Sequence, residues 1–143
     1  MLQNLAAGTL LVAMTVLIHT AGLMAIAAAT PRLARWLRLH SHDLGRTLVM
    51  TGTVVGLLGI LTLEVWSWAL AYDLLGVTHS FEDALSLSTD VFSTIGYGDL
   101  PFDPAWRLLT ALEGINGFLM IGWSTAYLVR ASTVHGPFRQ EHF

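Results

Sequence analysis

The hydrophobic pattern divides the chain into three long apolar segments. Residues 4–30 carry no charge, residues 47–72 carry one acidic residue, and residues 104–130 carry one acidic residue between arginines near either end. A helix needs about 20 apolar residues to cross the hydrocarbon core of a bilayer. The pattern therefore predicts an all-α membrane protein with three transmembrane helices.

The first apolar segment is predicted to be a retained helix rather than a cleaved leader. No basic residue precedes it, and it is longer than the roughly 7–15 residues of a signal-peptide core. We expect it to end before Pro31, because proline disfavours the helical conformation in the residue that precedes it. In the second segment, Trp66, Trp68 and Tyr72 fit the aromatic belt of a membrane interface.

Residues 81–92 form a shorter amphipathic segment between the second and third apolar segments. At ~1.5 Å per residue such a helix covers about 18 Å, too little to cross ~30 Å of hydrocarbon. A glycine-rich turn follows it. We therefore expect a re-entrant loop, which requires protein or a water-filled cavity around it.

Composition and charge narrow the class of protein. Charged residues make up 12% of the chain, against roughly 25% in soluble domains. The net charge of −3 leaves no basic patch for nucleic acid, and the lack of cysteine excludes disulfides, zinc-thiolate sites and a cysteine nucleophile. Six of the seven arginines flank one side of the predicted spans. That side is expected to be cytoplasmic, which places the amino terminus outside and the carboxyl terminus inside.

A six-residue motif follows the short helix and carries the candidate chemistry. It reads Thr94-Ile95-Gly96-Tyr97-Gly98-Asp99 and resembles the selectivity filter of potassium channels. Over residues 47–130 the chain is similar to the pore domain of the bacterial ion-channel family related to two-pore-domain leak channels. The resemblance implies this order of elements: an extra helix and basic loop (1–46), outer helix (47–72), pore helix (81–92), filter (94–99), inner helix (104–130) and a short cytoplasmic tail (131–143).

The resemblance implies passive potassium conduction without catalysis. Rings of backbone carbonyls replace the hydration shell of K⁺, here those of Thr94, Ile95, Gly96 and Tyr97. Glycine adopts the required positive φ at little cost, and Asp99 concentrates cations at the mouth. One chain supplies one filter strand, so a homotetramer is implied. Its expected partners are other copies of the chain, lipids of a prokaryotic plasma membrane and K⁺ in the filter, with no other cofactor.

Acidic side chains at membrane depth are candidate supports for the filter. Intramembrane acids usually face the protein interior, so we expect Glu64 or Glu113 to contact Ser88, Thr89 or Ser93. The resemblance implies that Asp90 also supports the filter. A proton-sensing role is the alternative for Glu64 and Glu113. The mid-span His19 is either a pH switch or a neutral residue paired with a hydroxyl or carbonyl group.

The third segment contains candidate gating and cavity residues. Gly114, Gly117 and Gly122 serve close helix packing or, at Gly117 or Gly114, a gating hinge. Four residues farther along are expected to line the inner cavity: Ile121, Ser124, Thr125 and Leu128.

The chain departs from the family pattern in one respect. Ser86 and Leu87 stand where many relatives carry aromatic residues beside the filter, and Phe92 replaces part of that cuff. The alternative functions are therefore a cation channel with relaxed K⁺ over Na⁺ selectivity, a potassium-transporter subunit, and a non-conducting membrane scaffold or regulatory subunit.

Overall fold

The computed structural model describes residues 1–36, 43–96 and 102–135. The fold is all-helical, with about 90% helix and no strand in those ranges. The elements in order are α1 (Leu2–Trp36), α2 (Asp43–Leu75), α3 (Phe81–Phe92), a 3₁₀ turn (Pro104–Trp106) and α4 (Arg107–His135). Tyr97, Gly98 and Asp99 of the motif and the end of the predicted tail lie outside the described residues.

α1 does not end where the proline predicted. It continues through Pro31 to Trp36, so the expected end at Thr30 is wrong. A proline inside a helix removes one backbone hydrogen bond, and neighbouring hydroxyl groups can supply others. Here the Thr30 hydroxyl donates to the Ile26 carbonyl oxygen at 2.8 Å, within the turn that precedes the proline.

α2 extends beyond both ends of the predicted segment 47–72 and closes with a defined cap. Gly76 has a φ of +67°. The Gly76 amide donates to the Asp73 carbonyl at 3.1 Å, and the Val77 amide donates to the Tyr72 carbonyl at 2.9 Å. This pair of bonds is the Schellman arrangement, in which glycine takes the left-handed position at the end of a helix.

α3 covers the segment over which the sequence predicted a short helix. The Ser80 hydroxyl caps it by accepting from the Asp83 amide at 3.1 Å. Its buried side recurs at three- and four-residue spacing and consists of Ala84, Leu87, Ser88 and Phe92. That side packs against α2 and α4, so α3 lies against the C-terminal part of α2 and the N-terminal part of α4.

Two helices of the described chain, α1 and α2, are long and apolar enough to cross a membrane. Only 17% of the most apolar part of α1 and 28% of that of α2 is buried within the chain. A core helix of a soluble protein would be covered by its own fold. The open apolar faces instead suit contact with lipid or with other apolar helices.

Trp68 and Tyr72 do not lie at an interface as the sequence predicted. Both side chains are 0% exposed and belong to the main apolar cluster. They face inward because α3 and α4 pack against α2. Trp66 points outward with 54% exposure and meets the edge of the Phe81 ring.

Candidate functional site

The loop after α3 leaves the helix through two left-handed residues. The Ser93 amide still donates to the Thr89 carbonyl at 3.1 Å, and the Thr94 amide donates to the Val91 carbonyl at 3.1 Å. Thr94 then has a φ of +60° and Gly96 a φ of +68°. Thr94, Ile95 and Gly96 are all exposed in the single chain. This part of the loop therefore faces away from the helices of its own chain.

The left-handed backbone at Thr94 is unusual. A β-branched residue in this region is a genuine outlier and costs on the order of 1–3 kcal/mol unless the surroundings hold it. Gly96 takes nearly the same φ without that cost. Strain of this kind concentrates at functional sites and persists where the surrounding structure holds it. At Thr94 the preceding helix α3 is the element that holds the backbone.

Glu113 connects three helices beneath this loop. Its Oε1 accepts from the Ser88 hydroxyl of α3 at 2.5 Å, and its Oε2 accepts from the Tyr72 hydroxyl of α2. The Ser88 hydroxyl also lies 2.9 Å from the Val65 carbonyl oxygen. Glu113 is 0% exposed. The expected contact between a membrane acid and Ser88 is therefore made by Glu113.

Glu64 has a different partner from the one the sequence suggested. Its Oε1 lies 2.8 Å from Nδ1 of His19, and both side chains are 0% exposed. The His19 ring also packs on Trp123 of α4, with centroids 5.1 Å apart. His19 thus pairs with a carboxyl group rather than with a hydroxyl or carbonyl group, and it links α1 to both α2 and α4.

Two further hydrogen bonds attach α1 to the rest of the chain. The Trp68 indole nitrogen donates to the Thr15 hydroxyl at 3.1 Å. Near the start of α1, Asn4 Nδ2 donates to the Ala105 carbonyl oxygen at 2.7 Å, in the turn that leads from the motif into α4. α1 is therefore connected at three levels along its length, including the segment next to the candidate loop.

Gly117 lies at the closest approach between α3 and α4. A Cβ atom on Gly117 would overlap the Phe92 carbonyl oxygen and lie 2.8 Å from the Phe92 Cα. By contrast, a Cβ atom on Gly114 would meet Val91 at an ordinary 3.7 Å, and one on Gly122 would meet nothing within 4 Å. Gly117 thus allows the end of α3, one residue before Ser93, to rest on the inner side of α4.

Asp90 and Ser93, which are also expected to support the loop, lie in and directly after the last turn of α3. The Ser93 hydroxyl donates to the Asp90 carbonyl oxygen at 3.2 Å, a contact within the last turn of α3. Asp90 and Ser93 are half-buried. In the described residues no group of three or more histidine, aspartate or glutamate side chains is arranged to hold a metal ion. The loop contains the kinds of oxygen that a dehydrated cation binds, namely its carbonyl groups and the Thr94 hydroxyl.

The predicted cavity residues fall on two sides of α4. Thr125 is exposed and Ile121 is half-buried. Ser124 is 5% exposed, and Leu128 packs against the cluster of Leu23, Leu57 and Ile60. Ser124 and Leu128 therefore face the helices of their own chain, whereas Thr125 lies on the open side.

Tyr72 and Trp68 are members of the buried network that the sequence reading missed. A signal was present, because Glu64, Trp68 and Tyr72 recur every four residues and so share one face of α2. A helix face that combines an acidic residue with two aromatic hydrogen-bond donors is more typical of a buried hydrogen-bonded contact between helices than of a membrane interface. Asn116 is also buried at 2% exposure, and its amide has no hydrogen-bond partner in the described chain.

One comparison with known proteins identifies the family of the chain. A family model described as ion channel matches residues 58–133, just over half of the 143-residue chain. The match covers the outer part of α2, all of α3, the candidate loop and most of α4. α1 lies outside it. No curated protein and no solved structure matches the chain.

The buried pair between α1 and α2 gives a first testable prediction. His19→Leu or Glu64→Leu alone leaves a buried polar group without its partner and should lower the unfolding free energy by roughly 3–5 kcal/mol. The double variant should recover much of that loss. Denaturant unfolding in detergent measures it, with Thr62→Leu on the exposed face of α2 as the control. Additive losses in the double variant would show that the pair is not coupled.

The Glu113 contacts give a second prediction. Tyr72→Phe removes one donor and leaves a buried carboxyl oxygen unpaired, so we expect a loss of about 1–3 kcal/mol in unfolding free energy. Tyr127→Phe is the matched control, since Tyr127 is half-buried and no hydrogen bond of its hydroxyl is recorded in the described chain. Equal stability of the two variants in the same unfolding assay would contradict the importance of the bond.

The approach of α3 to α4 gives a third prediction. Gly117→Ala should destabilise the protein by about 1–3 kcal/mol, because the added methyl group meets backbone that cannot move without shifting the loop. Gly122→Ala should be neutral or stabilising by up to about 1 kcal/mol, since alanine is the better helix former. Thermal unfolding of both variants in detergent makes the comparison. A neutral Gly117→Ala would show that the close contact is not needed.

Proposed function

The chain belongs to an ion channel family, and on that premise we propose that it forms a homotetrameric, potassium-selective channel in a prokaryotic plasma membrane. K⁺ would pass along its electrochemical gradient through a central pore. The permeant ion is the substrate, and no cofactor and no bond-making step are involved. The proposal concerns the ion, the stoichiometry and the membrane, whereas membership of the family rests on the match over residues 58–133.

The single observation that carries the proposal is the conformation of the loop that begins the TIGYGD motif. Thr94 and Gly96, two residues apart, both have left-handed backbone. Ile95 between them is exposed, as they are. Alternation of backbone conformation lets successive carbonyl groups point to the same side. Stacked carbonyls are what a dehydrated potassium ion needs. Tyr97, Gly98 and Asp99 complete the motif in the sequence.

One loop from one chain cannot surround an ion, which supports an assembly of four. Closed rings of identical chains are the usual form of soluble oligomers, and filters are built from four loops of this type. Large apolar side chains on the open face of α4 are available for contact with neighbouring copies, among them Ile115, Phe118 and Leu119. We place Thr125 on the pore side of that face, farther toward the proposed cytoplasmic end.

We further propose that α4 is the third transmembrane helix and α3 a re-entrant pore helix. At ~1.5 Å per residue, the 29 residues of α4 reach about 43 Å, enough to cross a bilayer. Glu113 is the charge within its apolar part, and the Tyr72 and Ser88 hydroxyl groups satisfy that carboxyl. The arginine distribution supports a cytoplasmic carboxyl terminus.

A channel with relaxed selectivity is the second candidate function. Ser86 is exposed and Leu87 is 3% exposed. Because neither residue is aromatic, neither supplies a ring beside the motif. Phe92 is buried against α4, beneath the loop. A filter with fewer aromatic supports is less constrained, and a less constrained ring of carbonyls discriminates less strictly between ions of different radius.

Flux through reconstituted protein tests the proposal. Purified protein in liposomes should carry K⁺ down a gradient, with barium block and little Na⁺ flux, and native mass spectrometry should give the mass of four chains. Equal Na⁺ and K⁺ flux would favour relaxed selectivity. No flux under any condition would favour a scaffold and overturn the channel proposal.

A matched pair of glycine substitutions links that flux to the loop. Gly96→Ala should lower K⁺ over Na⁺ selectivity at least tenfold or abolish flux, because alanine resists a φ of +68°. Gly76→Ala introduces similar strain at a φ of +67° in the turn after α2. Assembled Gly76→Ala protein should keep its selectivity. Unchanged transport in Gly96→Ala would contradict the filter assignment.

A further inference from the structure

An apolar cleft opens between α1 and α2 at their arginine-bearing ends. The two helices pack closely where Gly22 faces Ile60 and where Gly56 faces Ile26. Beyond that contact the space between them widens to a cavity of about 300 Å³, at the low end of the roughly 300–1,000 Å³ of small-molecule sites. Just beyond the lining residues, α1 carries Arg32 and α2 carries Arg46.

Small side chains leave this cleft unfilled. It is lined by Ala25, Ala29 and Thr30 of α1 and by Gly52, Thr53 and Gly56 of α2, among others. The two threonine hydroxyl groups are already used: Thr30 donates to the Ile26 carbonyl at 2.8 Å and Thr53 to the Val49 carbonyl at 3.0 Å. The cleft therefore presents a surface that is almost entirely apolar, although it lies between polar helix ends.

Two arginines lie at the mouth of the cleft in matching register. Arg32 is three residues after Ala29, and Arg46 is three residues before Val49, so each shares a face with the cleft-lining residues of its own helix. Both side chains are exposed. Neither guanidinium group has a recorded hydrogen bond or ion pair with another residue of the described chain. The site thus combines an apolar slot with two positive charges at one end.

We propose that this cleft binds an anionic phospholipid of the surrounding bilayer. One acyl chain lies in the slot against the alanines and glycines, and the phosphate lies between Arg32 and Arg46. An apolar cavity does not hold water favourably, whereas basic pockets between transmembrane helices bind anionic headgroups. The proposal requires only that α1 and α2 lie in a membrane, and it does not depend on which ion the protein conducts.

The ligand follows from the charge and the shape together. A zwitterionic phospholipid also carries a phosphate, but the cation of its headgroup offsets that charge, so it would pair less strongly with the two guanidinium groups than a lipid of net negative charge. Free phosphate would pair with the arginines and leave the slot empty. A helix from a second copy would need more room than a cavity of about 300 Å³, since an α-helix with side chains is about 10–12 Å across. A lipid with a negative headgroup satisfies both parts of the site.

Native mass spectrometry of the full-length protein in detergent tests the proposal. The probes are phosphatidylglycerol and, as the neutral comparison, phosphatidylcholine. We expect saturable and tighter binding of phosphatidylglycerol. Arg32→Gln and Arg46→Gln should each weaken it about fivefold, the effect of one basic residue near an anionic membrane surface, and weaken phosphatidylcholine binding less. Ala29→Leu fills the slot and should weaken binding of both lipids.

Two control variants separate the site from general surface effects. Arg130→Gln removes an exposed charge from the end of α4, and Ala28→Leu adds the same bulk to an exposed position of α1 that does not line the cleft. Both should bind lipid as the parent protein does. Helical circular dichroism verifies that every variant is folded, which is expected because all the changed positions are exposed.

Several results would overturn the lipid site. Equal affinity for the two lipids would remove the role of the arginines. An effect of Arg130→Gln as large as that of Arg32→Gln would reduce binding to general surface charge. A changed oligomeric state in Ala29→Leu with unchanged lipid binding would assign the cleft to a second copy. Absent K⁺ flux with intact phosphatidylglycerol binding would count against the proposed channel and leave the lipid site standing.

Discussion

The structure depends on one constraint, which is that burying a polar group in an apolar environment costs free energy unless the group finds a partner. Glu113 is the clearest case. Its two carboxyl oxygens accept from α2 and from α3 while the residue itself belongs to α4. Both bonds hold only while the three helices keep their positions along one another, so the carboxyl group favours this register of α2, α3 and α4. The short helix α3, and with it the exposed loop at Thr94, is located by that bond set.

The same constraint bonds α1 to the other helices, although α1 lies outside the family match. Its buried polar residues Asn4, Thr15 and His19 recur along one side, and each has its partner on another element. The bond from Asn4 reaches the turn that connects the loop to α4. A helix that only faced lipid would have no need of these side chains. α1 is therefore held to α2 and to the turn that follows the loop.

Small residues affect the packing in a different way from the buried polar residues. They determine where the helix backbones approach each other and where space is left between them. Gly117 lets the last turn of α3 touch α4, and Gly22 lets α1 touch α2 at Ile60. Where small residues continue beyond those contacts, as at Ala29 and Gly52, the helices separate and the cleft opens. Small residues thus account for both the close packing and the cleft. The helices pack closely where a large side chain of the neighbouring helix lies against the small residue, and the cleft remains where none does.

The sequence by itself determined the helical class, the short helix over residues 81–92 and the motif after it, because apolar periodicity and glycine spacing are local properties. It also identified Glu64 and Glu113 as exceptional, since charge is scarce in the apolar segments. The prediction that α1 ends before Pro31 was wrong, because one missing hydrogen bond does not stop a helix whose other backbone groups are paired. Only the tertiary structure decided the partners: Glu113 with Tyr72 and Ser88, Glu64 with His19, and Trp68 turned inward. The four-residue spacing of Glu64, Trp68 and Tyr72 indicates that they share a face of α2. It does not specify their partners, because a pairing depends on the rotation and the sliding of whole helices against one another.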